Sequence, residues 1–341
     1  MPDKRPRARA RSTCRCACGT SEQSVEECTL DDWRVPLQGD GRNGCVVALG
    51  KFDALHKGHM SLAVRAAELG GAPWLLSFNG MAEVLGWPPR APLVAECDRG
   101  RVLRSWARAC GGREPQLRLV PFAAVRGLQP DEFVRVLAED LQVAGVVVGE
   151  GYRFGYRASG DTAALQALGA AAGLRVVVAG LVDANMPGLD GKASSSRVRE
   201  ALAAGRLQQV AGYLGRRYRL VAVAEPGATV LRAPDAFWLS SQTFRNQPPQ
   251  QHKYTAEVFV EALPDAPAPL PDTPPQPAWQ GSDVYLQPNL GAALAPDLAL
   301  HSGWRSAHVE FRQDGMEVRL LDGNQMPAEL LAGRCRVCVE L

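Results

Sequence analysis

The stretch Cys45-Val46-Val47-Ala48-Leu49-Gly50-Lys51-Phe52-Asp53-Ala54-Leu55-His56-Lys57-Gly58-His59 decides the fold. Its first five residues form an unbroken apolar run, the pattern of a strand buried on both faces. They empty into a turn that opens on glycine and carries two histidines three residues apart. A helix beginning near Gly58 offers unpaired backbone N–H groups at that point, the place where a nucleotide's phosphates sit. Taken alone, H-x-G-H also suits a strand–helix turn with surface histidines.

Outward from this turn, short apolar runs alternate with helical stretches as far as about Arg217, the signature of βαβ units. The strands expected are Val46–Leu49, Trp74–Phe78, Gln116–Val120, Gly145–Val148 and Arg175–Ala179. Helices are expected over Met60–Leu69 and Asp98–Ala109, from Pro130 onward, and over Ala163–Ala172 with Asp161 as N-cap. The fold class is therefore α/β, a doubly wound, Rossmann-like parallel sheet over residues 44–218. Ligands of such sheets bind beyond the carboxyl ends of the strands, which gathers the loops 50–59, 77–90 and 149–160 around one crevice.

After about Val221 helical periodicity disappears. Ala222–Ala224, Tyr254–Val260, Ala307–Phe311 and Glu317–Leu321 read as strands, so 219–341 is a smaller β-rich region. Seven prolines between Leu263 and Pro277 place an extended loop at 264–277. Residues 1–43 are left outside the fold. Their first twenty include Arg5, Arg7, Arg9, Arg11 and Arg15 with Asp3 the sole acid, which suits an organellar transit peptide.

Charge excludes several functions. The 38 basic and 36 acidic residues leave a net charge of +2, no global field for nucleic acid or an anionic membrane, so phosphate recognition must be local. No apolar stretch approaches the roughly 20 residues that cross a bilayer. The nine cysteines are scattered and odd in number, which points to a reducing compartment. Cys335-Arg-Val-Cys338 has chelating spacing but no second pair, and reads as part of a terminal strand.

A second helix start shifts the balance. Ser194-Ser195-Ser196-Arg197-Val198-Arg199 precedes Glu200-Ala201-Leu202, so small hydroxyl residues cap a helix while Arg199 lies one turn in. H-x-G-H after the first strand and S-S-S-x-V-R after the last make two anion-binding corners at one sheet edge. The pair resembles the nucleotidyltransferase superfamily whose members transfer a nucleotidyl group from a nucleoside triphosphate to a phosphorylated acceptor. More narrowly, GKFDALHKGH (50–59), LLSFNGMAEVLGWPPRAP (75–92), VVGEGYRFGYRASGD (147–161) and SSSRVREALAAG (194–205) resemble, in order and spacing, the plant and algal plastid FAD synthetases. In those, an FMN adenylyltransferase module stands without a working riboflavin kinase. The resemblance covers about 45–218.

This resemblance implies the reaction ATP + FMN → FAD + pyrophosphate in a chloroplast, with the mitochondrion as the alternative address. It implies His59 at the α-phosphate, His56 on the β/γ side, and Ser195, Ser196 and Arg199 on the β- and γ-phosphates, with Gly50, Lys51, Phe52, Asp53, Gly58 and Arg197 completing the ATP side. Asp53 would fix the turn or the ribose. Ser77, Phe78, Met81, Tyr152, Arg153, Phe154 and Gly155 form the flavin side, and Arg153 and Arg157 are candidates for the FMN phosphate. Mg²⁺ would be held mainly by phosphates and water, without a protein cage. The partners are small-molecule nucleotides, with neither nucleic acid nor membrane.

The chain also departs from the pattern. Asn79-Gly80-Met81 stands where the bacterial flavin loop has a proline–histidine pair, Gly151 replaces the usual Asp or Asn, and Ser196 replaces Thr. The kinase signature is not found in 219–341, which suits a degenerate kinase-like barrel. The alternatives are a catalytically silent flavin-nucleotide-binding module, or an adenylyl- or cytidylyltransferase for another phosphorylated acceptor.

Overall fold

A computed structural model describes residues 24–39, 44–180, 192–264 and 303–341, apart from 322, 324 and 327–330. The expected Pro-rich loop falls almost wholly outside these residues, as do the first 23 positions. The first sheet holds six strands: β1 (Val25–Glu27), β2 (Cys45–Gly50), β3 (Ala72–Asn79), β4 (Gln116–Pro121), β5 (Val143–Gly149) and β6 (Arg175–Ala179). Their order is β1-β4-β3-β2-β5-β6 and every pairing is parallel. The chain moves from β2 to β3 and β4 on one side, then returns to β5 and β6 on the other. The order therefore reverses beside β2, and the turn at 50–59 opens at that reversal, with the ends of β3 and β5 on either side.

Helices cover both faces: α1 (Lys57–Glu68), α2 (Met81–Leu85), α3 (Arg99–Trp106), α4 (Phe122–Val125), α5 (Pro130–Arg135) and α6 (Thr162–Ala171). Strand β2 shows why its run is apolar throughout. Val46 and Ala48 pack with Leu62, Ala63, Val102 and Leu103, whereas Val47 and Leu49 pack on the opposite face with Phe133, Leu137 and Leu165. Asp161 caps α6 by accepting from the Ala164 N–H at 2.9 Å, as its sequence position implied.

The expectation that residues 1–43 lie outside the fold is corrected by β1. Val25–Glu27 pair with Leu117–Leu119, and Trp33 and Leu37 are buried in the core beside Trp74. Arg118, itself buried, pairs with Glu26 and donates to the Val35 carbonyl. A three-residue edge strand followed by an isolated tryptophan leaves no periodic pattern in the sequence.

Two further helices, α7 (Ser195–Ala203) and α8 (Leu207–Leu214), lead into a seven-stranded antiparallel sheet. It comprises β7 (Arg219–Ala224), β8 (Thr229–Ala233), β9 (Ala236–Ser240), β10 (Lys253–Ala262), β11 (Arg305–Arg312), β12 (Gly315–Leu320) and β13 (Cys335–Glu340), in the order β7-β13-β10-β11-β12-β9-β8. Cys335 and Cys338 are free thiols on β13, as expected of a terminal strand. The region is no loose tail. Alternate residues such as Leu220, Phe237, Val258, Val309, Val318 and Val337 fill one core, which also takes in Val198, Leu202, Val210 and Leu214 of α7 and α8. The helix carrying the second basic motif thus packs on the second sheet, so a boundary at 218/219 cuts through a shared core.

Replacing Trp33 by Ala should cost about 3–5 kcal/mol, as for other buried aromatics. Urea denaturation should show a lower midpoint, and a chain starting at residue 44 should lose stability by a comparable or larger margin than one starting at residue 24.

Candidate active site

The two basic helix starts meet. His56 is the N-cap of α1, its Nδ1 accepting from the His59 N–H at 3.2 Å, and Ser194 is the N-cap of α7, accepting from the Arg197 N–H at 3.4 Å. Between the two tips lies Asp53. One carboxylate oxygen accepts from Ser195 Oγ at 2.5 Å and the other from Arg199 Nη2 at 3.1 Å. Gly58 sits where a Cβ would be 3.0 Å from the His56 ring and 3.4 Å from the Ala193 carbonyl oxygen, so a side chain there would wedge the tips apart.

The histidine rings stack, with centroids 3.7 Å apart and planes inclined by 19°. His59 also meets the edge of Phe52 at 4.9 Å, and its Nδ1 is buried with no hydrogen-bond partner among the described residues. Burial pushes the His56 ring down to about 4, opposed in part by Asp53 and aided by Arg216. Burial also holds His59 well below the usual imidazole range, with His56 and Arg216 acting in the same direction. Both rings are therefore neutral near pH 7. Because His56 accepts at Nδ1, its proton is on Nε2, which makes that atom a donor.

Behind the turn stands Arg216, which the sequence reading did not single out. Its guanidinium donates to the carbonyls of Leu55 at 2.6 Å and Ala54 at 3.0 Å. Leu55 has a φ of +46°, a costly conformation for a branched side chain, and these bonds hold it. Burial lowers Arg216 to about 10, so it stays charged at neutral pH. Two adjacent arginines at 216–217 look like surface charge in a sequence, and no local pattern marks one of them as buried.

Several of the expected contact residues are engaged within the chain itself. Phe52 is 1 % exposed and belongs to the core under His59, so its ring does not face a nucleotide. Ser77 is buried, and its hydroxyl accepts from the Phe52 N–H at 3.3 Å, tying β3 to the turn rather than facing a flavin. Phe154 is also core, packed on Phe133. Gly155 leans on Pro130, where a Cβ would come within 2.8 Å of the proline ring. Arg153 spends its guanidinium on the Ala158 carbonyl, at 2.7 and 3.0 Å, and Arg157 lies over the Tyr156 ring.

Phe78, Met81 and Tyr152 are half-buried at the ends of β3 and β5, on either side of the histidine turn. Lys51 and Ser196 are exposed at the rim, and Gly50 closes β2 where a Cβ would come within 3.3 Å of the Phe52 ring. Gly151 has a φ of +76° with open space around its missing Cβ. Asn and Asp tolerate that left-handed region better than other side chains, so the departure from the family pattern preserves the backbone.

The FAD synthetase family model matches residues 116–196. The chain is 50 % identical over 202 residues to "FAD synthetase 2, chloroplastic" of Arabidopsis thaliana, covering 56 % of this chain and 55 % of that one. It is 50 % identical over 190 residues to the same plant's "FAD synthetase 1, chloroplastic", covering 52 % and 53 %. A "Bifunctional riboflavin kinase/FMN adenylyltransferase" of Pseudomonas fluorescens is 31 % identical over 225 residues, 64 % of this chain and 69 % of its own length. The chain belongs to the FAD synthetase family. It spans about half the length of the two plant relatives it matches. The fold is shared across 93 % of the chain with a crystal structure titled as a macrolide-efflux protein from Streptococcus pneumoniae, with a TM-score of 0.62 at 18 % identity.

The histidine turn makes folding pH-dependent. In the unfolded chain His56 takes up a proton as pH falls through about 6.5, whereas in the folded chain it resists down to about 4. The unfolded state thus binds more protons in that window, so stability is full above pH 6.5 and falls as pH drops toward 4, by up to about 1.4 kcal/mol per pH unit and ring. His56→Asn keeps an N-cap acceptor but does not titrate. Denaturation from pH 7 to 4 should show a shallower loss of stability in this variant than in the parent.

Proposed function

We propose that this family member transfers the adenylyl group of ATP to FMN, yielding FAD and pyrophosphate. The observation that supports it best is the convergence of the two helix tips on Asp53, which lets one triphosphate touch both. An FMN phosphate oxygen attacks the α-phosphorus, and the bond from that phosphorus to the oxygen bridging toward the β-phosphate breaks in line. The nucleophile is already anionic near neutral pH, so no side chain need act as a base. The task is alignment and stabilisation of charge that builds on the phosphoryl oxygens.

Neutral imidazole donors suit that task. His59 serves the α-phosphate, where a phosphoryl oxygen would pair with a ring that is half-buried and short of partners. His56 serves the β/γ side through Nε2–H. Ser195, Ser196 and Arg199 hold the β- and γ-phosphates and then the departing pyrophosphate, while Phe78, Met81 and Tyr152 remain the flavin side. Among the described residues no cluster of carboxylates, histidines or cysteines is arranged to hold a metal ion, and both Asp53 oxygens are engaged. Mg²⁺ would enter with ATP, held mainly by its phosphates and by water. No kinase role is assigned to the second sheet. The plastid is the address favoured by the plant relatives' names.

The test is incubation of the full chain with ATP, Mg²⁺ and either FMN or riboflavin, followed by separation of the flavins. FAD and pyrophosphate should form from FMN, with no product from riboflavin. His59→Ala should lower kcat on the order of 10²-fold, the scale of deleting one oxyanion donor. A full-length chain that binds flavin but releases no pyrophosphate would overturn the reading.

A further inference from the structure

The guanidinium of Arg199 is held by three acceptors from three separate segments. Nη2 donates to Asp53, while Nη1 donates to the Ala91 carbonyl at 2.9 Å and to Gln247 Oε1 at 2.6 Å. Of its five N–H donors, Nε–H and one on Nη2 remain without a partner among the described residues. The first two acceptors come from the parallel-sheet domain. Gln247 belongs to the second sheet's domain, in the connection between β9 and β10.

Gln247 is itself anchored on both sides. Its backbone N–H donates to the Pro92 carbonyl at 2.9 Å, and its carbonyl accepts from the Tyr218 hydroxyl. The preceding Asn246, 1 % exposed, donates to the carbonyls of Leu93 at 3.2 Å and Arg219 at 2.8 Å and accepts from the Val221 N–H at 2.9 Å. A backbone fixed this firmly starts the Gln247 side chain from one place, and its Oε1 accepts from Arg199 there. The contact is charge-assisted and mostly shielded, since the Arg199 side chain is 18 % exposed.

We infer that Gln247 is a positioning residue of the nucleotide site, and that the second sheet's domain sets the orientation in which Arg199 meets the phosphates of ATP. This rests on the adenylyl-transfer reading only for the identity of the nucleotide. Gln247 does not touch the substrate. It fixes the plane of the guanidinium, so that the two remaining donors face the triphosphate without a search over rotamers.

The experiment is a double-mutant cycle on the full-length chain with Gln247→Met, Arg199→Ala and both together. Methionine keeps the volume and both backbone bonds of residue 247 and removes only the acceptor. The readouts are the Kd for Mg²⁺-ATP by calorimetry, the KM values for ATP and FMN, and the melting temperature. Gln247→Met should raise the Kd and KM for ATP about tenfold, the worth of one hydrogen bond to a charged group, and leave the KM for FMN unchanged. In the Arg199→Ala background the same change should have no further effect on ATP, while any shift in melting temperature should persist. Gln247→Ala repeats the measurement with a smaller side chain. An unchanged ATP affinity in Gln247→Met, or an equal loss with and without Arg199, overturns the inference. A parent chain that binds Mg²⁺-ATP but makes no FAD would defeat the adenylyl-transfer reading and leave the cycle on Kd intact.

Discussion

A single carboxylate joins the two halves of the site. Asp53 lies in the turn after the first long strand, and the groups it accepts from, Ser195 and Arg199, lie more than 140 residues further along the chain. With 12 % and 18 % of the Asp53 and Arg199 side chains exposed, removing either partner would strand a largely buried charge, at a cost greater than the worth of the pair. Arg216 grips the same turn from behind through the carbonyls of Ala54 and Leu55. The strained Leu55 backbone is the consequence. Residues 53–56 are set by groups from α7 and the α8–β7 connection rather than by their own preference, and the two helix tips face one point because of it.

That arrangement also decides how the histidines work. A turn clamped against a core excludes water from the imidazoles, and exclusion costs them their charge, as the lowered values of both rings record. Two cationic rings stacked at 3.7 Å would repel, while neutral ones pack. What remains is hydrogen-bond donation. In the adenylyl transfer proposed above, whose nucleophile arrives already ionised, a neutral donor fixed in place would stabilise developing charge and have no proton to lose.

The parallel sheet is legible because β2 to β5 are runs buried largely on both faces, and because Asp161 and Pro130 mark helix starts by local chemistry. The helix starts at His56 and Ser194 are legible by the same local chemistry, since both side chains cap their helices. Either motif alone also suits an ordinary helix cap, and it is the two together that point to one site. The side chains beyond the helix caps are less legible, since Phe52 on the ATP side and Ser77 and Phe154 on the flavin side have the residue types of a ligand pocket but are used for packing, and burial is a property of the assembled fold. Strands β8 and β9 were passed over because they are five residues each, one of them largely exposed. Gln247 and Asn246 left no trace, since their roles depend on segments 48 and 153 positions away.

The second sheet changes meaning once its core is followed. It would be natural to treat a region lacking a kinase signature as a remnant that the first domain carries along. Yet Val198, Ala201 and Leu202 of α7 are buried in the same cluster as Val258, Val309 and Val337, so the helix that presents Ser195 and Arg199 has the antiparallel sheet as its floor. Arg219 bridges Asp98 of the first domain and Glu340 of the last strand, and Arg101 completes the pair on Asp98 with two bonds of 2.7 Å. Without the sheet, α7 would lose the surface that fixes its position as well as the amide that orients Arg199. The second sheet is thus a physical requirement of the neighbouring domain, because the helix carrying Ser195 and Arg199 stands on it.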